Sequence, residues 1–247
     1  MKRIAYIILP LLLSGLHATA KEAETQTVRF TAYCLKGDLN EVSYLSADKI
    51  HSFKVDRYRR SVEQMYRGQT EMVFFSGGLN EQGQPVNVIA RTGIRPELKR
   101  PLLLFAETAK GYAILQVEDD ILASPAGSIR FMNLSGSQQT LFIGIGEDAE
   151  FKQQIQPRGI ARYQMQAEDA GNLRIRIARL TEKGSDLLRD MRIFPNTINR
   201  YIYFIFQPDP DKARFTIKML AEKPTPYTSN PEDSDRPSLN MVISSSQ

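Results

Sequence analysis

Leu173-Arg174-Ile175-Arg176-Ile177 alternates apolar and basic residues without a break. A two-residue period puts the three aliphatic side chains on one face of a strand and both guanidiniums on the other, so the stretch reads as a half-buried β-strand. The same rhythm returns in Thr27-Val28-Arg29-Phe30-Thr31, where Val28 and Phe30 share a face. Continuous apolar runs, rich in β-branched and aromatic residues, lie at 72–75, 86–90, 102–106, 112–117, 141–145, 201–206 and 215–220. Turn chemistry bounds them: Ser76-Gly77-Gly78, Gln82-Gly83-Gln84-Pro85, Lys110-Gly111 and Gln207-Pro208-Asp209-Pro210. Helical periodicity is confined to 57–66 and 184–191, each long enough for one or two turns. Short strands at this spacing predict an all-β protein of sandwich type.

Three segments recur in order along the chain. Val28-Arg29-Phe30 has a counterpart in Ile129-Arg130-Phe131, the strand at 70–75 in 173–178, and the paired runs at 102–105 and 112–117 in 203–206 and 215–219. The offsets are 101 to 103 residues. They predict two tandem antiparallel β-sandwich domains of immunoglobulin-like type, at 27–122 and 127–221, each with its own core. Ala123-Ser124-Pro125-Ala126-Gly127 is the small-residue linker between them. With one stacked sheet pair per copy, the central strands are expected to be covered on one face and wet on the other.

The chain opens with Lys2 and Arg3, an apolar run from Ile4 to Leu16, and Ala18-Thr19-Ala20. A basic start, a run too short for the roughly 20 residues of a spanning helix, and a small-x-small site predict a cleaved signal peptide at 1–20. No later stretch is long and apolar enough to predict a membrane span. Residues 222–247 are polar and Pro-rich and are expected to form a disordered tail. Within it, the short apolar patch at 239–243 is a candidate for strand addition to a sheet edge.

Composition narrows the chemistry. The 32 Lys and Arg against 28 Asp and Glu fall to 30 against 28 once Lys2 and Arg3 are removed, a balance that does not point to nucleic acid. Without His17 the chain has one imidazole, His51, and one thiol, Cys34. That excludes a site built from several Cys or His ligands and an intrachain disulfide. Cys34 reads as a small core hydrophobe and His51 as a structural residue, since the chain has no Gly-x-Ser-x-Gly elbow. Glu118-Asp119-Asp120, Glu147-Asp148 and Glu168-Asp169 are expected at strand ends facing water. Gly144-Ile145-Gly146 lacks the third glycine of a dinucleotide loop, and Asn133-Leu134-Ser135 matches a glycosylation acceptor only formally. No catalytic residue, metal site or cofactor is expected. The candidate binding residues are basic: Arg57, Arg59 and Arg60 around Tyr58, and Arg174 with Arg176 on one strand face. Guanidiniums so placed suit the carboxylates of an acidic polysaccharide.

Ile129-Arg130-Phe131-Met132-Asn133-Leu134-Ser135 resembles the Arg-Phe-Val-Asn-type opening of exported bacterial β-sandwich domains, among them the periplasmic accessory proteins of alginate O-acetylation. The resemblance implies Gram-negative export, tandem sandwiches and an accessory role without catalytic residues. The first copy departs from it, because Val28-Arg29-Phe30-Thr31-Ala32 has no Asn at the matching place, and no functional residue is carried over. The expectation is a periplasmic or secreted, non-catalytic protein of the cell envelope, binding another envelope protein or an acidic polysaccharide. The rival readings are a carboxylate-dependent hydrolase of envelope polymers and an assembly subunit that exchanges strands.

Overall fold

The computed structural model describes residues 25–224 apart from 99, 109, 110, 120, 123, 136–138, 183 and 208–213. The leader at 1–20, the tail from 225 onward, Asp120 and Ala123 lie outside the described residues. The N-terminal half comprises β1 (Gln26–Cys34), β2 (Leu39–Ser46), β3 (Lys49–Val55), β4 (Gln64–Gly68), β5 (Glu71–Phe75), β6 (Val88–Gly93), β7 (Pro101–Thr108) and β8 (Gly111–Glu118). The C-terminal half comprises β9 (Ser128–Asn133), β10 (Leu141–Ile145), β11 (Phe151–Ile155), β12 (Ile160–Gln164), β13 (Leu173–Thr181), β14 (Gly184–Ile193), β15 (Arg200–Phe206) and β16 (Thr216–Glu222). One 3₁₀ turn, Ala167–Asp169, is the only helical element among the described residues. None of it is long and apolar enough to cross a membrane as a helix.

The first eight strands form sheets ordered β4-β1-β7-β8 and β3-β2-β5-β6. The next eight repeat this order as β12-β9-β15-β16 and β11-β10-β13-β14, each number raised by eight. Pairing is antiparallel except between β1 and β7 and between β9 and β15, which run parallel. The chain is therefore all-β, with four sheets suited to sandwich packing. An immunoglobulin domain divides its strands into ABED and CFG sheets. Here β1 pairs with β4 and β7, and β2 with β3 and β5, so the pairing departs from that division.

Alternation works as the sequence suggests. Val28 and Phe30 enter one core, where Phe30 meets Tyr44 and Phe74 edge-on at 5.5 and 6.0 Å. Ile129 and Phe131 enter the other, where Phe131 stacks on Tyr203 at 5.2 Å. The repeat slips by one residue in the later strands. Leu103 and Phe105 face the first core, and Tyr203 and Ile205 the second, so a uniform offset of 101 would match Leu103 with the outward Phe204.

Two local expectations are corrected. Residues 184–191 are not helical: Gly184–Ile193 is β14, paired along β13 with a bulge in which Leu188 is the extra residue. A bulge shifts the side-chain phase once, which disguises a two-residue period. Nor do 57–66 hold a helical turn, since 57–63 is loop and the segment then enters β4.

The central strands β1, β7, β9 and β15 are not wet on their outer faces, whereas β13, in a sheet away from the joint, keeps its outer face partly exposed as expected. Tyr33, Leu35, Leu102 and Leu104 from β1, β7 and the residue after β1 pack against Met132, Ile202, Phe204 and Leu220 from β9, β15 and β16. Tyr33 stacks on Phe204 at 5.3 Å. This third apolar cluster joins the two halves. Beside it lies a buried tetrad of charges. Arg60 pairs with Asp119 and, at 2.6 Å, with Glu222; Arg200 reaches Asp119 at 3.1 Å and Glu222 at 2.8 Å. Burial works against the Arg60 charge, but Asp119 and Glu222 outweigh it and hold its pKa above the usual value. Thr31 Oγ1 accepts a further bond from Arg60 at 2.8 Å. The connection after β8 is tied in as well, because Arg200 donates to the Ser124 carbonyl at 3.4 Å.

Removing one carboxylate leaves two largely buried cations around the other. Asp119→Ala is expected to cost about 3–5 kcal/mol of stability in urea titration. Asp190→Ala, on an exposed face, should barely move the midpoint.

Candidate functional site

Where the apolar joint runs out, it opens into a cleft of about 540 Å³. Leu115 and Val117 of β8 form one side, and Met132, Leu134 and Ile160 the other. Val117, Met132 and Leu134 also belong to the joint, so the cleft is that same layer left uncovered. Its volume lies within the ~300–1,000 Å³ of ordinary ligand pockets.

The C-terminal wall is held by Asn133. Its side chain is fully buried and donates to the carbonyls of Gln139 at 2.9 Å and Ile155 at 3.3 Å, while Ser135 Oγ donates to its Oδ1 at 2.6 Å. An amide so enclosed is not presented for glycosylation. These bonds and Leu134 N–H donating to Ile205 O at 2.7 Å fix the end of β9. The lip of this same wall is the turn Gln156-Pro157-Arg158-Gly159, tied to β9 by Asn133 N–H donating to Gly159 O at 3.0 Å. Gly159 N–H donates to Gln156 O at 2.8 Å, and a Cβ at Gly159 would stand only 2.8 Å from that oxygen. The turn holds Arg158 at φ 61°, a left-handed conformation uncommon for a residue with a side chain.

Two guanidiniums stand on the rim. Arg95 is paired with Glu97 at 2.7 Å, whereas Arg158 is exposed and has no ion pair among the described residues. A third lies buried nearby. Arg130, on the same face of β9 as Met132, donates to the Glu118 carbonyl at 2.7 Å, and its Nε has no hydrogen-bond partner among the described residues. Burial, and then the nearby Arg162 charge, push its pKa down. Glu118 also lines the cleft, so the chemistry offered is an aliphatic groove with separate charged points.

The basic residues singled out from sequence lie elsewhere. Arg60 is inside the buried tetrad. Arg57 lies over the Tyr58 ring at 4.7 Å and 3.7 Å from Asp38, and Arg59 is 3.5 Å from Asp56. Arg174 grips Asp190 through two bonds, 3.0 and 2.7 Å, and Arg176 approaches the same carboxylate at 3.7 Å. Arg174 and Arg176 face away from the second core on the sheet remote from the joint, so the structure does not bring the two clusters together. Arg158, Arg95 and Arg130 were missed. The only signal in the sequence was the turn dipeptide after Pro157.

Other side chains find structural roles. Cys34 is buried, burial raises its pKa, and its thiol donates to Lys36 O at 3.0 Å. His51 stacks on Tyr44 at 5.4 Å. Asp119 and Asp169 do not face water. The first serves the tetrad; the second accepts bonds from Tyr163 Oη and Gln166 N–H, both at 2.7 Å. Gly144 faces the bulge in β11, and a Cβ there would collide with the Ala149 carbonyl. No group of three or more His, Cys, Asp or Glu placed to hold a metal occurs among the described residues. No protein-family profile matches the chain, and no curated protein sequence matches it.

Floor and rim should separate in stability. Met132→Ala, at a position 2% exposed, is expected to lower it by about 2–5 kcal/mol in thermal or urea unfolding. Arg158→Ala should leave it unchanged within about 0.5 kcal/mol, as for surface substitutions generally.

Proposed function

We propose that the chain is an exported, non-catalytic binding protein of the bacterial cell envelope. Its two sandwich domains, at 27–122 and 127–221, serve as a rigid frame for the cleft between them. The partner is an apolar segment of another envelope protein that carries a carboxylate. The observation behind this reading is the cleft's lining: aliphatic walls, and on the rim a guanidinium, Arg158, with no ion pair among the described residues. Such a group suits a carboxylate, which it can bind bidentately.

A protein segment fits better than a polysaccharide. Sugars rest their apolar faces on flat aromatic rings, and no aromatic side chain among the described residues lines this cleft. The Arg174 and Arg176 face, the alternative surface for an acidic glycan, already meets its own Asp190. Residues 1–20 support the address.

Calorimetry decides between the two partners. A peptide with alternating aliphatic residues and a terminal carboxylate should bind the full chain, and a soluble polyuronate should not. Arg158→Glu and Leu115→Asp should each weaken the peptide about tenfold or more, or ~1.4 kcal/mol, with unchanged circular dichroism. Polyuronate binding that disappears with Arg174→Ala and Arg176→Ala, but not with the cleft variants, would overturn the assignment.

A further inference from the structure

The two halves share an order of strands but not the state of one edge. In the N-terminal half β6 and β8 lie against each other, and the Gln116 amide crosses the seam to Thr92 Oγ1 at 2.7 Å and to the Gly93 carbonyl. The equivalent β14 and β16 stand apart, and a groove of about 350 Å³ separates them. Leu188, Met191 and Ile193 line one side and Ile217 and Met219 the other. Four of these five pack against the second core, so the groove exposes the side of that core. Tyr203 also lines it. That residue is 2% exposed, and its phenol has no hydrogen-bond partner among the described residues. Buried hydroxyls ordinarily have one.

We infer that this groove is a docking site for an extended apolar strand, and that residues 239–243 of the same chain occupy it. Leu239-Asn240-Met241-Val242-Ile243 carries no charge and alternates, so that Leu239, Met241 and Ile243 share one face of a strand. It is the apolar patch of the sequence that follows β16, and β16 forms one wall of the groove. Pro224 and Pro226 keep β16 from continuing. Sixteen residues, 223–238, then separate its end from the patch. Extended, they reach up to ~50 Å, against ~23 Å for the seven residues of β16. The patch can therefore return along the free edge of β16 as a fifth strand of its sheet. That pairing satisfies an open edge with backbone hydrogen bonds, covers the exposed core with three apolar side chains, and brings a hydrogen-bonding group to the Tyr203 hydroxyl.

The chain contains no Trp, so one introduced indole reports alone. In the full chain, Met241→Trp should give blue-shifted emission and protection from acrylamide, and Thr228→Trp, within the spacer, should give neither. Combining Met241→Trp with Leu188→Lys should abolish the protection. Met219→Lys, at a position 45% exposed, supplies the same test should the first variant misfold. Light scattering should find a monomer. Three results overturn the inference: equal quenching of both indoles, protection that survives the groove variants, or protection only in a dimer, which would mean exchange between copies.

Discussion

Four largely buried charges set the geometry of this molecule. Arg60, Asp119, Arg200 and Glu222 come from the loop before β4, the end of β8, the start of β15 and the end of β16. A buried ion pair yields little net stability, because desolvation opposes most of the attraction. Its constraint is one of uniqueness. Each guanidinium contacts both carboxylates, and each carboxylate both guanidiniums, so any other docking of the halves would strand a charge. The adjoining apolar layer, with Tyr33 stacked on Phe204, supplies the driving force but tolerates sliding. Together they make the cleft at its margin a feature of fixed shape.

The same joint explains a property of the sequence. Strands wet on one face alternate, as at 173–177. Strands covered on both faces read as continuous apolar runs. Leu102-Leu103-Leu104-Phe105 and Tyr201-Ile202-Tyr203-Phe204-Ile205 are of the second kind: one set of side chains enters a core and the other enters the joint. The runs thus carried a record of the interface, which an expectation of wet outer faces overlooked. Legibility stopped where contacts are long-range. Arg60 and Glu222 are 162 residues apart, and nothing local marks them as partners. Asp119 looked like an ordinary acid at a strand end. Arg158 could be placed in a turn by its neighbours, but its position above a cleft depends on β8, which approaches from the other half. The reading of 184–191 failed for a local reason instead, since one bulge residue, Leu188, broke the period by which a strand is recognised.

What the halves share and what they do not bears differently on function. Strand order, the parallel pairing of β1 with β7 and of β9 with β15, and the inward aromatic and aliphatic residues recur because each core requires them. The features that occur once are not demanded by either core. The cleft exists only where unlike surfaces meet, and the gap between β14 and β16 exists in only one copy. An edge sealed by a Gln amide in one half, and left open in the other over a buried Tyr hydroxyl that has no partner among the described residues, is a difference that neither core demands. Open edges invite uncontrolled pairing between molecules, and charges such as Arg189 and Lys218 along β14 and β16 discourage it. An edge guarded against strangers, and mostly apolar within apart from Arg189, is suited to a strand held at high local concentration. A segment tethered sixteen residues from that edge meets this condition through effective concentration alone, without strong contacts of its own.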